Sequence, residues 1–391
     1  MPAGEFNPAR DPGWQPTLRL FRVFGIQLTA SWSWVFLLAL LVYVASSTFR
    51  GLLQGWAPLV TWALAGLAAL LSVASLYAHE LAHALVARHF GIPVRTVSLF
   101  LLGGMAHISR ESPTPRAEFL IALSGPLVSL AVGLVAAGAS WALWGAWTPL
   151  AALCLWLALM NVPLAIFNLV PAYPLDGGRV LRAVLWFAAQ DVRWGSLVSA
   201  RVGQGAAVGL LFAGVYLLIE STGNALSGLW LIMIAWFMYA GAVSAQHAAV
   251  FSDALRELTV AAVMDRKYGR VQAGLSVQAF AEQRLLETTG GPGGSADPAS
   301  RSYAVYRDDR LVGLLSLRRL GRIPVQAWAQ TAIERATIPI ETAASLEPSA
   351  PALGALHLLT EEGCEQVAVM AEGRLLGLVT RADLARAVAR T

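Results

Sequence analysis

The sequence predicts an α-helical, polytopic membrane domain followed by a smaller, water-soluble α/β domain, and three observations lead to this fold class. Of the 391 residues, 57% are hydrophobic and only 13% are charged, whereas an ordinary soluble domain has about 25% charged residues. Long apolar runs fill residues 26–250. After these runs the charged residues return together with an internal repeat. We therefore divide the chain into an N-terminal segment (1–25), a membrane domain (26–250) and a C-terminal α/β domain (251–391).

Six apolar stretches of the membrane domain are long enough to be membrane spans. A spanning helix needs about 20 consecutive, mostly apolar residues. The predicted spans cover residues 31–47, 57–87, 119–139, 150–170, 202–219 and 225–243. The first lies directly after the polar N-terminal segment, and the last ends just before the charged C-terminal part.

The arginines predict how these spans are oriented. They concentrate before span one, between spans two and three, and between spans four and five, while the opposite loops hold Arg50, Glu220 and little else. Because cytoplasmic loops carry the excess of basic residues, we expect a multi-pass protein of the cell membrane with both termini in the cytoplasm. No block of basic residues is dense enough to indicate a nucleic-acid partner.

A short segment between spans two and three predicts a β-hairpin. The stretch VRTVSLFLLGGMAHIS (94–109) is too short to cross the membrane and return as helices. Its β-branched residues and its central Gly103-Gly104 pair are typical of a hairpin that dips into the membrane face. Non-helical backbone at that depth is tolerated only against protein or a water-filled cavity. We therefore expect this hairpin to line a site.

Span two carries polar residues inside an apolar helix, in SLYAHELAHALVARHFGI (75–92). His79 and His83 are four residues apart, so on a helix they lie one turn apart on one face, separated by about 40°, within reach of one metal ion. Glu80 is placed to take a proton from an attacking water. Hydrogen-bonded core histidines are the structural alternative, but ionisable groups inside a span are rare and usually functional. Zinc suits two imidazoles and one oxygen ligand.

Asp176 is the acidic residue best placed to be the third ligand. It lies in FNLVPAYPLDGGRVLRA (167–183), which follows span four on the side of the membrane where span two also ends. Two prolines break the helix there, and Gly177-Gly178 let the backbone turn tightly. These residues predict a carboxylate on an irregular backbone. A helix N-cap or an ordinary loop carboxylate is the alternative role.

Four motifs together resemble the site-2 protease family of intramembrane zinc metalloproteases, over roughly residues 20–250. The motifs are HELAH (79–83), FLLGGMA (100–106), EFLIALSGPLVSL (118–130) and NLVPAYPLDGGR (168–179). The resemblance implies that His79, His83 and Asp176 bind Zn²⁺ and that Glu80 is the general base. It also implies that Asn168 helps to hold the tetrahedral intermediate.

The same resemblance assigns roles to two glycine-containing segments. Gly103 and Gly104 match a membrane-embedded element beside the site, to which a membrane-spanning substrate could be added as an extended strand. For Gly125 and Pro126 we expect close helix packing rather than a catalytic role.

The C-terminal domain contains a tandem repeat at a constant offset of 64 residues (303 to 367). YAVYRDDRLVGLLSLRRL (303–320) matches VAVMAEGRLLGLVTRADL (367–384), and each copy predicts a strand, a turn, a second strand and a helix. The repeat resembles a CBS domain pair, which implies that Thr380 and Asp383 bind the phosphate and ribose of an adenine nucleotide such as ATP or AMP. The first copy has Arg319 in place of the aspartate, so at most one well-formed site is expected. A purely structural or dimerising pair is the alternative.

The residues thus favour a zinc protease that cleaves membrane-tethered substrates and is regulated by its CBS pair, through which it is expected to form a homodimer. A CBS-regulated ion channel or transporter, with histidines that bind the transported ion, is the rival. Such a protein has no need for Glu80 beside the ligands or for Asn168 upstream of Asp176.

Overall fold

The computed structural model describes residues 17–100, 103–108, 112–220, 225–289, 302–361 and 363–390. The chain divides into two compact units between Ala249 and Val250. Most of the predicted N-terminal segment, residues 1–16, lies outside the described residues.

Six helices within the described residues are long and apolar enough to cross a membrane, which confirms the predicted polytopic helical fold. They are α1 (Trp34–Leu52), α2 (Pro58–His89), α3 (Pro115–Leu143), α4 (Thr148–Asn168), α6 (Val192–Glu220) and α7 (Ala225–Glu257). A shorter helix, α5 (Asp176–Ala189), lies between α4 and α6. The sequence does not predict α5, because its 14 residues are too few to span and are interrupted by polar side chains.

Four described strands of the membrane unit form a single sheet in the order β1-β2-β3-β4. They are β1 (Thr17–Val23), β2 (Ile26–Ser31), β3 (Val94–Phe100) and β4 (Gly103–Ile108). The antiparallel pair β3 and β4 is the predicted hairpin. Gly103 and Gly104 begin β4 instead of forming the turn, and β2 joins β3 in parallel, so the sheet is larger than the sequence predicts.

The sheet packs on the part of α2 that carries the two histidines. Ile26, Leu28, Val97 and Leu99 are buried in one cluster with apolar residues of α2. The hydroxyl of Tyr77 donates a hydrogen bond of 2.9 Å to the carbonyl oxygen of Thr29 in β2. The sheet therefore contacts α2 at Tyr77, two residues before His79.

Helix α3 lies against α2, α4 and α5. Small residues allow this close packing: a Cβ at Gly133 would lie 3.0 Å from the backbone nitrogen of Val162 in α4. Since α3 touches each of the elements that carry the candidate ligands, it is the scaffold of the site.

The C-terminal unit repeats one strand-strand-helix motif. Strands β6 (Tyr303–Arg307) and β7 (Arg310–Leu315) precede helix α10 (Leu317–Leu320), and β10 (Val367–Ala371) and β11 (Arg374–Val379) precede α12 (Arg381–Val388). The remaining described α-helices and strands of this unit are α8 (Val260–Val263), β5 (Gly269–Gln272), α9 (Val277–Thr289), β8 (Thr337–Pro339), β9 (Ser345–Leu346) and α11 (Ala352–Glu361). Two 3₁₀ helices, Val325–Gln330 and Ile333–Ala336, lie before β8. The described strands form the sheets β5-β6-β7-β8 and β11-β10-β9, as the predicted α/β pair requires.

Candidate metal centre

Three side chains from two distant segments of the sequence meet inside the membrane unit. His79 and His83 project from α2, and Asp176 is the first residue of α5. The two Nε2 atoms lie 3.3 Å apart, and Oδ2 of Asp176 lies 3.2 Å from each of them. Both histidines are buried, whereas the Asp176 side chain keeps 14% of its surface exposed. Of the residues that the structure describes, these form the cluster suited to hold a metal ion.

Helix α3 sets the orientation of both imidazole rings. Nδ1 of His83 lies 2.6 Å from the carbonyl oxygen of Ile121, and because a carbonyl can only accept, Nδ1 carries the proton. Nδ1 of His79 lies 2.9 Å from Oγ of Ser129, which is able to accept in the same way. With Nδ1 protonated, the lone pair of each Nε2 points at the other ligands. These hydrogen bonds favour the tautomer that metal binding needs.

Gly125 allows the two histidine rings to lie against α3, because it has no side chain. It lies four residues after Ile121 and four before Ser129, so all three are on one face of α3. A Cβ at Gly125 would lie 2.7 Å from Nε2 of His79 and closer still to Nε2 of His83. The helix packing that the sequence predicts for this glycine is therefore packing against the histidine rings themselves.

Asp176 reaches the site from the start of a helix. The chain leaves α4 at Asn168, and Leu175, in extended conformation, is the residue before the first turn of α5. The sequence predicts an irregular backbone at Asp176, but the structure shows a helical first turn. A carboxylate at that position is stabilised by the partial positive charge of the helix N-terminus.

The glycines after Asp176 permit a close approach of two backbone segments. A Cβ at Gly177 would lie 2.5 Å from the carbonyl carbon of Leu169, and a Cβ at Gly178 would lie 2.7 Å from that of Ala172. The sequence predicts a tight turn at these glycines. They are helical instead, and they let the first turn of α5 rest directly on the preceding loop, which fixes the place of Asp176.

Glu80 is beside the three candidate ligands. It follows His79 directly on α2, is 8% exposed, and interacts electrostatically with both histidines and with Asp176. Glu80 is thus a buried carboxylate next to the candidate ligands.

The other residues predicted for the protease site are Asn168, Gly103 and Gly104. Asn168 is the last residue of α4 and is half-buried, and within the described part of the chain no hydrogen bond links it to the three candidate ligands. Gly103 and Gly104 lie in β4, an outer strand of the sheet, opposite Phe100 and Leu99 of β3.

A second buried cluster of charges joins α3 to α5. The carboxylate of Glu118, in the first turn of α3, accepts hydrogen bonds from Nε of Arg179 at 3.0 Å, from Nη2 of Arg182 at 2.6 Å and from the hydroxyl of Ser112. Burial acts to lower the pKa of each arginine, but the Glu118 carboxylate outweighs it, so both pKa values are raised. This cluster ties the N-terminal turn of α3 to the first two turns of α5.

The geometry of the three candidate ligands fits zinc. Bonds of about 2.0–2.1 Å in a tetrahedral site put neighbouring ligand atoms roughly 3.3–3.4 Å apart, and the observed separations are 3.2, 3.2 and 3.3 Å. Catalytic zinc sites combine three protein ligands with one open position. The three candidate ligands of this chain match that number.

The residues predicted to bind a nucleotide begin helix α12. The carboxylate of Asp383 accepts hydrogen bonds from the backbone nitrogen of Thr380 at 2.8 Å and from its hydroxyl at 2.6 Å. It also pairs with Arg386. The backbone nitrogen of Asp383 donates in return to Oγ1 of Thr380 at 3.4 Å, and the two reciprocal backbone-to-side-chain bonds form a capping box. Asp383 therefore has a structural role whether or not a nucleotide binds.

The equivalent residues of the first copy are engaged differently. Nη1 of Arg319, at the position of the aspartate, donates a hydrogen bond of 2.8 Å to the carbonyl oxygen of Thr337. The hydroxyl of Ser316 lies 3.0 Å from Oε1 of Glu365. In the first copy a cation therefore fills the position where the second copy has a carboxylate.

Sequence reasoning missed the functional face of α3. Glu118, Ile121, Gly125 and Ser129 recur at helical spacing within EFLIALSGPLVSL, and a polar or small residue at every third or fourth position of an apolar helix predicts one shared face. That periodicity was the available signal. It does not say which neighbouring helix the face meets, which requires the structure.

The membrane unit and the C-terminal unit each match a known protein family. Residues 66–147 and 144–212 match the sequence profile of Peptidase family M50. Residues 336–390 match that of the CBS domain.

Several known proteins are similar to nearly the whole chain. Rip3, a candidate zinc metalloprotease of Mycobacterium tuberculosis, is 31% identical over 372 residues, which cover 94% of this chain and 92% of Rip3. The candidate zinc metalloprotease sll0528 of Synechocystis sp. is 31% identical over 376 residues, covering 94% of each chain. Of solved structures, the site-2 protease from Methanocaldococcus jannaschii is 28% identical and covers 59% of this chain and 95% of its own, with a TM-score of 0.39.

Proposed function

Because this chain belongs to peptidase family M50, the site-2 metalloproteases, we propose that it hydrolyses peptide bonds of membrane-tethered substrates within or near the bilayer, with zinc held by His79, His83 and Asp176. The observation that carries the proposal is the meeting of these side chains at 3.2–3.3 Å inside the membrane unit. Burying an ionisable group in a membrane span costs free energy, so such groups are rare and usually functional.

Two residues of this chain would act on the substrate beside the metal, Glu80 and Asn168. Zinc, when bound, supplies a Lewis acid that polarises the scissile carbonyl and lowers the pKa of water. Glu80 accepts the proton of the attacking water and passes it to the departing amine. The side-chain amide of Asn168 donates a hydrogen bond to the oxygen that becomes negative, or to the substrate backbone. Gly125 lets the two histidine rings lie directly against α3.

The substrate would be a membrane-spanning protein or peptide that unwinds before it is cut. A helical peptide hides its carbonyl groups in its own hydrogen bonds, whereas an extended one can add to the edge of a sheet. Strand β4, with Gly103 and Gly104 at its start, lies at an edge of the membrane-unit sheet, and this sheet packs on the helix that carries the histidines. These features support strand addition at β4.

The topology proposed for the chain places both termini in the cytoplasm. The arginine-rich connections between α2 and α3 and between α4 and α6 would then be cytoplasmic as well. The metal centre, at the C-terminal part of α2 and the start of α5, would lie towards the cytoplasmic side of the membrane.

The C-terminal pair would sense an adenine nucleotide and modulate proteolysis, and would join two chains in a homodimer. Thr380 and Asp383 are the residues proposed to bind the nucleotide. The capping box of α12 supports this role, because it holds the Asp383 carboxylate in one orientation. Arg319 in the first copy favours one nucleotide per chain.

The test uses the full chain reconstituted in lipid bilayers with a membrane-spanning test peptide. Wild-type protein is expected to contain one zinc per chain and to cleave the peptide. Glu80→Gln should keep the zinc and lose about 100- to 10,000-fold in cleavage rate. The matched control is Glu220→Gln, an exposed carboxylate at the end of α6, which should cleave normally.

Two outcomes would overturn this proposal. Full cleavage by Glu80→Gln would show that Glu80 is not the general base. Ion flux across the bilayer that depends on His79 and His83, without cleavage of the peptide, would favour a CBS-regulated transporter instead. If the protease is active, chemical crosslinking of cells that carry Glu80→Gln, followed by mass spectrometry, would identify the trapped substrate.

A further inference from the structure

We propose that Glu118 is a positioning residue of the metal centre: by pairing with Arg179 and Arg182, it holds the first turn of α5 so that the carboxylate of Asp176 stays within reach of both histidines. This inference rests on the proposed zinc site and adds a residue that touches neither the metal nor the substrate.

The Glu118 cluster connects the two elements that build the site. Helix α3 provides the acceptors that orient the histidine rings, and α5 provides Asp176. Glu118 is in the first turn of α3, and both of its arginine partners are in the first two turns of α5. The ion pairs therefore fix the distance between the ring-orienting helix and the helix that carries the third ligand.

The two arginines also fix how α5 is rotated about its axis. Asp176, Arg179 and Arg182 follow one another at three-residue intervals, so they share about a third of the helix circumference. Two bonds from one carboxylate to two points on α5, at 3.0 and 2.6 Å, leave little freedom of rotation. A rotation of α5 that broke these two bonds would also move Asp176 away from the histidines.

Glu118 is buried and fully engaged, which makes its position well defined. Its side chain is 1% exposed, and Ser112 donates a further hydrogen bond to it. Removing one member of a buried ion pair leaves an uncompensated charge in a low-dielectric environment, so the arginines would rearrange if Glu118 lost its charge.

The rearrangement would affect the metal ligand directly. Arg179 is three residues after Asp176 and already interacts with it electrostatically. An Arg179 guanidinium released from Glu118 can pair with the Asp176 carboxylate at this spacing and would then compete with a metal ion for it. By engaging Arg179, Glu118 keeps Asp176 available.

The experiment compares zinc binding by the full chain with Glu118→Gln, Glu118→Asp and the control Glu220→Gln. Zinc affinity is measured by competition with a chromophoric chelator, the ligand geometry by the visible spectrum of the Co²⁺-loaded protein, and folding by the thermal unfolding midpoint. Glu118→Gln should bind zinc about 10- to 100-fold more weakly, as for residues that orient metal ligands, with a changed Co²⁺ spectrum. Glu118→Asp, which keeps the charge, should recover most of the affinity, and Glu220→Gln should equal wild type.

A folded Glu118→Gln protein with wild-type zinc affinity and Co²⁺ spectrum would overturn the proposal, and so would a lower unfolding midpoint with unchanged zinc affinity. If Glu118→Gln does not fold, Ser112→Ala carries the test, because it removes one donor to the same carboxylate and should weaken zinc binding by a smaller factor; unchanged affinity would overturn the proposal. Failure of the wild-type chain to bind zinc would instead refute the zinc site itself.

Discussion

Oδ2 of Asp176 lies 3.2 Å from Nε2 of His79, although 97 residues separate the two along the chain. They belong to different helices, α2 and α5, and both helices contact α3. One face of α3 orients the histidine rings through Ile121 and Ser129 and holds α5 through Glu118. The site is therefore built on a helix that donates none of the candidate ligands.

The first prediction concerns the third ligand. Asp176→Asn keeps the shape of the side chain but removes its charge, so zinc affinity should fall by at least about 100-fold, more than the 10- to 100-fold typical of residues that only orient ligands. Elemental analysis of purified protein and a cleavage assay check this. The control is Asp191→Asn, at the exposed start of α6. Its side chain accepts hydrogen bonds from the backbone nitrogens of Arg193 and Trp194. Wild-type zinc content in Asp176→Asn would show that another residue is the ligand.

The second prediction concerns the space at Gly125. A methyl group there would meet Nε2 of both histidines, at 2.7 Å for His79 and at a shorter distance for His83, so Gly125→Ala should displace the rings and abolish zinc binding and cleavage. Gly138→Ala, in the same helix, meets no atom within 4 Å and should be as active as wild type. It should also be stabilised by up to about 1 kcal/mol, because alanine favours the helix. Equal zinc contents in the two variants would contradict this account.

The third prediction tests the hydrogen bond that orients His79. Ser129→Ala removes the acceptor 2.9 Å from Nδ1, so zinc affinity should fall by about 10- to 100-fold while the fold is kept. Ser140→Ala is the matched control, since this buried serine of α3 donates to the carbonyl oxygen of Ala151, away from the site. Chelator competition distinguishes the two. If both serines had the same effect, general packing of α3 rather than the orientation of His79 would be responsible.

The sequence predicts those parts of the fold that depend on local pattern. Six apolar stretches and the repeat of 64 residues (303 to 367) correspond to helices and paired strands of the structure. The pairing of β2 with β3 joins segments separated by about 70 residues, and no local pattern encodes such a partner. The start of α5 was also missed, because the prolines before it and the glycines within it are typical of a loop.

For the candidate site, the spacing of His79 and His83 on one helix predicts that they share a face, and the structure shows them adjacent. The contributions of α3 were not predicted, because they depend on which helices pack together. A backbone carbonyl such as that of Ile121 has no signature in the sequence at all. Gly125 shows the same limit, since a glycine in an apolar helix is compatible with any close neighbour.

The last prediction separates the two copies of the C-terminal repeat. Thr380→Ala and Asp383→Ala should each weaken binding of ATP or AMP by at least about tenfold, since each removes a side chain proposed to bind the nucleotide. Both variants also break the capping box, and loss of the N-cap side chain in Thr380→Ala should destabilise the fold by about 1 kcal/mol. Binding is therefore measured by calorimetry well below the unfolding midpoint. The controls are the equivalent variants of the first copy, Ser316→Ala and Arg319→Ala, which should bind one nucleotide per chain with nearly wild-type affinity. The side chain of Arg319 donates a hydrogen bond to the carbonyl oxygen of Thr337. Removing it should therefore not change nucleotide binding by the second copy. Equal losses of nucleotide affinity in the variants of both copies would show that the nucleotide binds elsewhere in the pair.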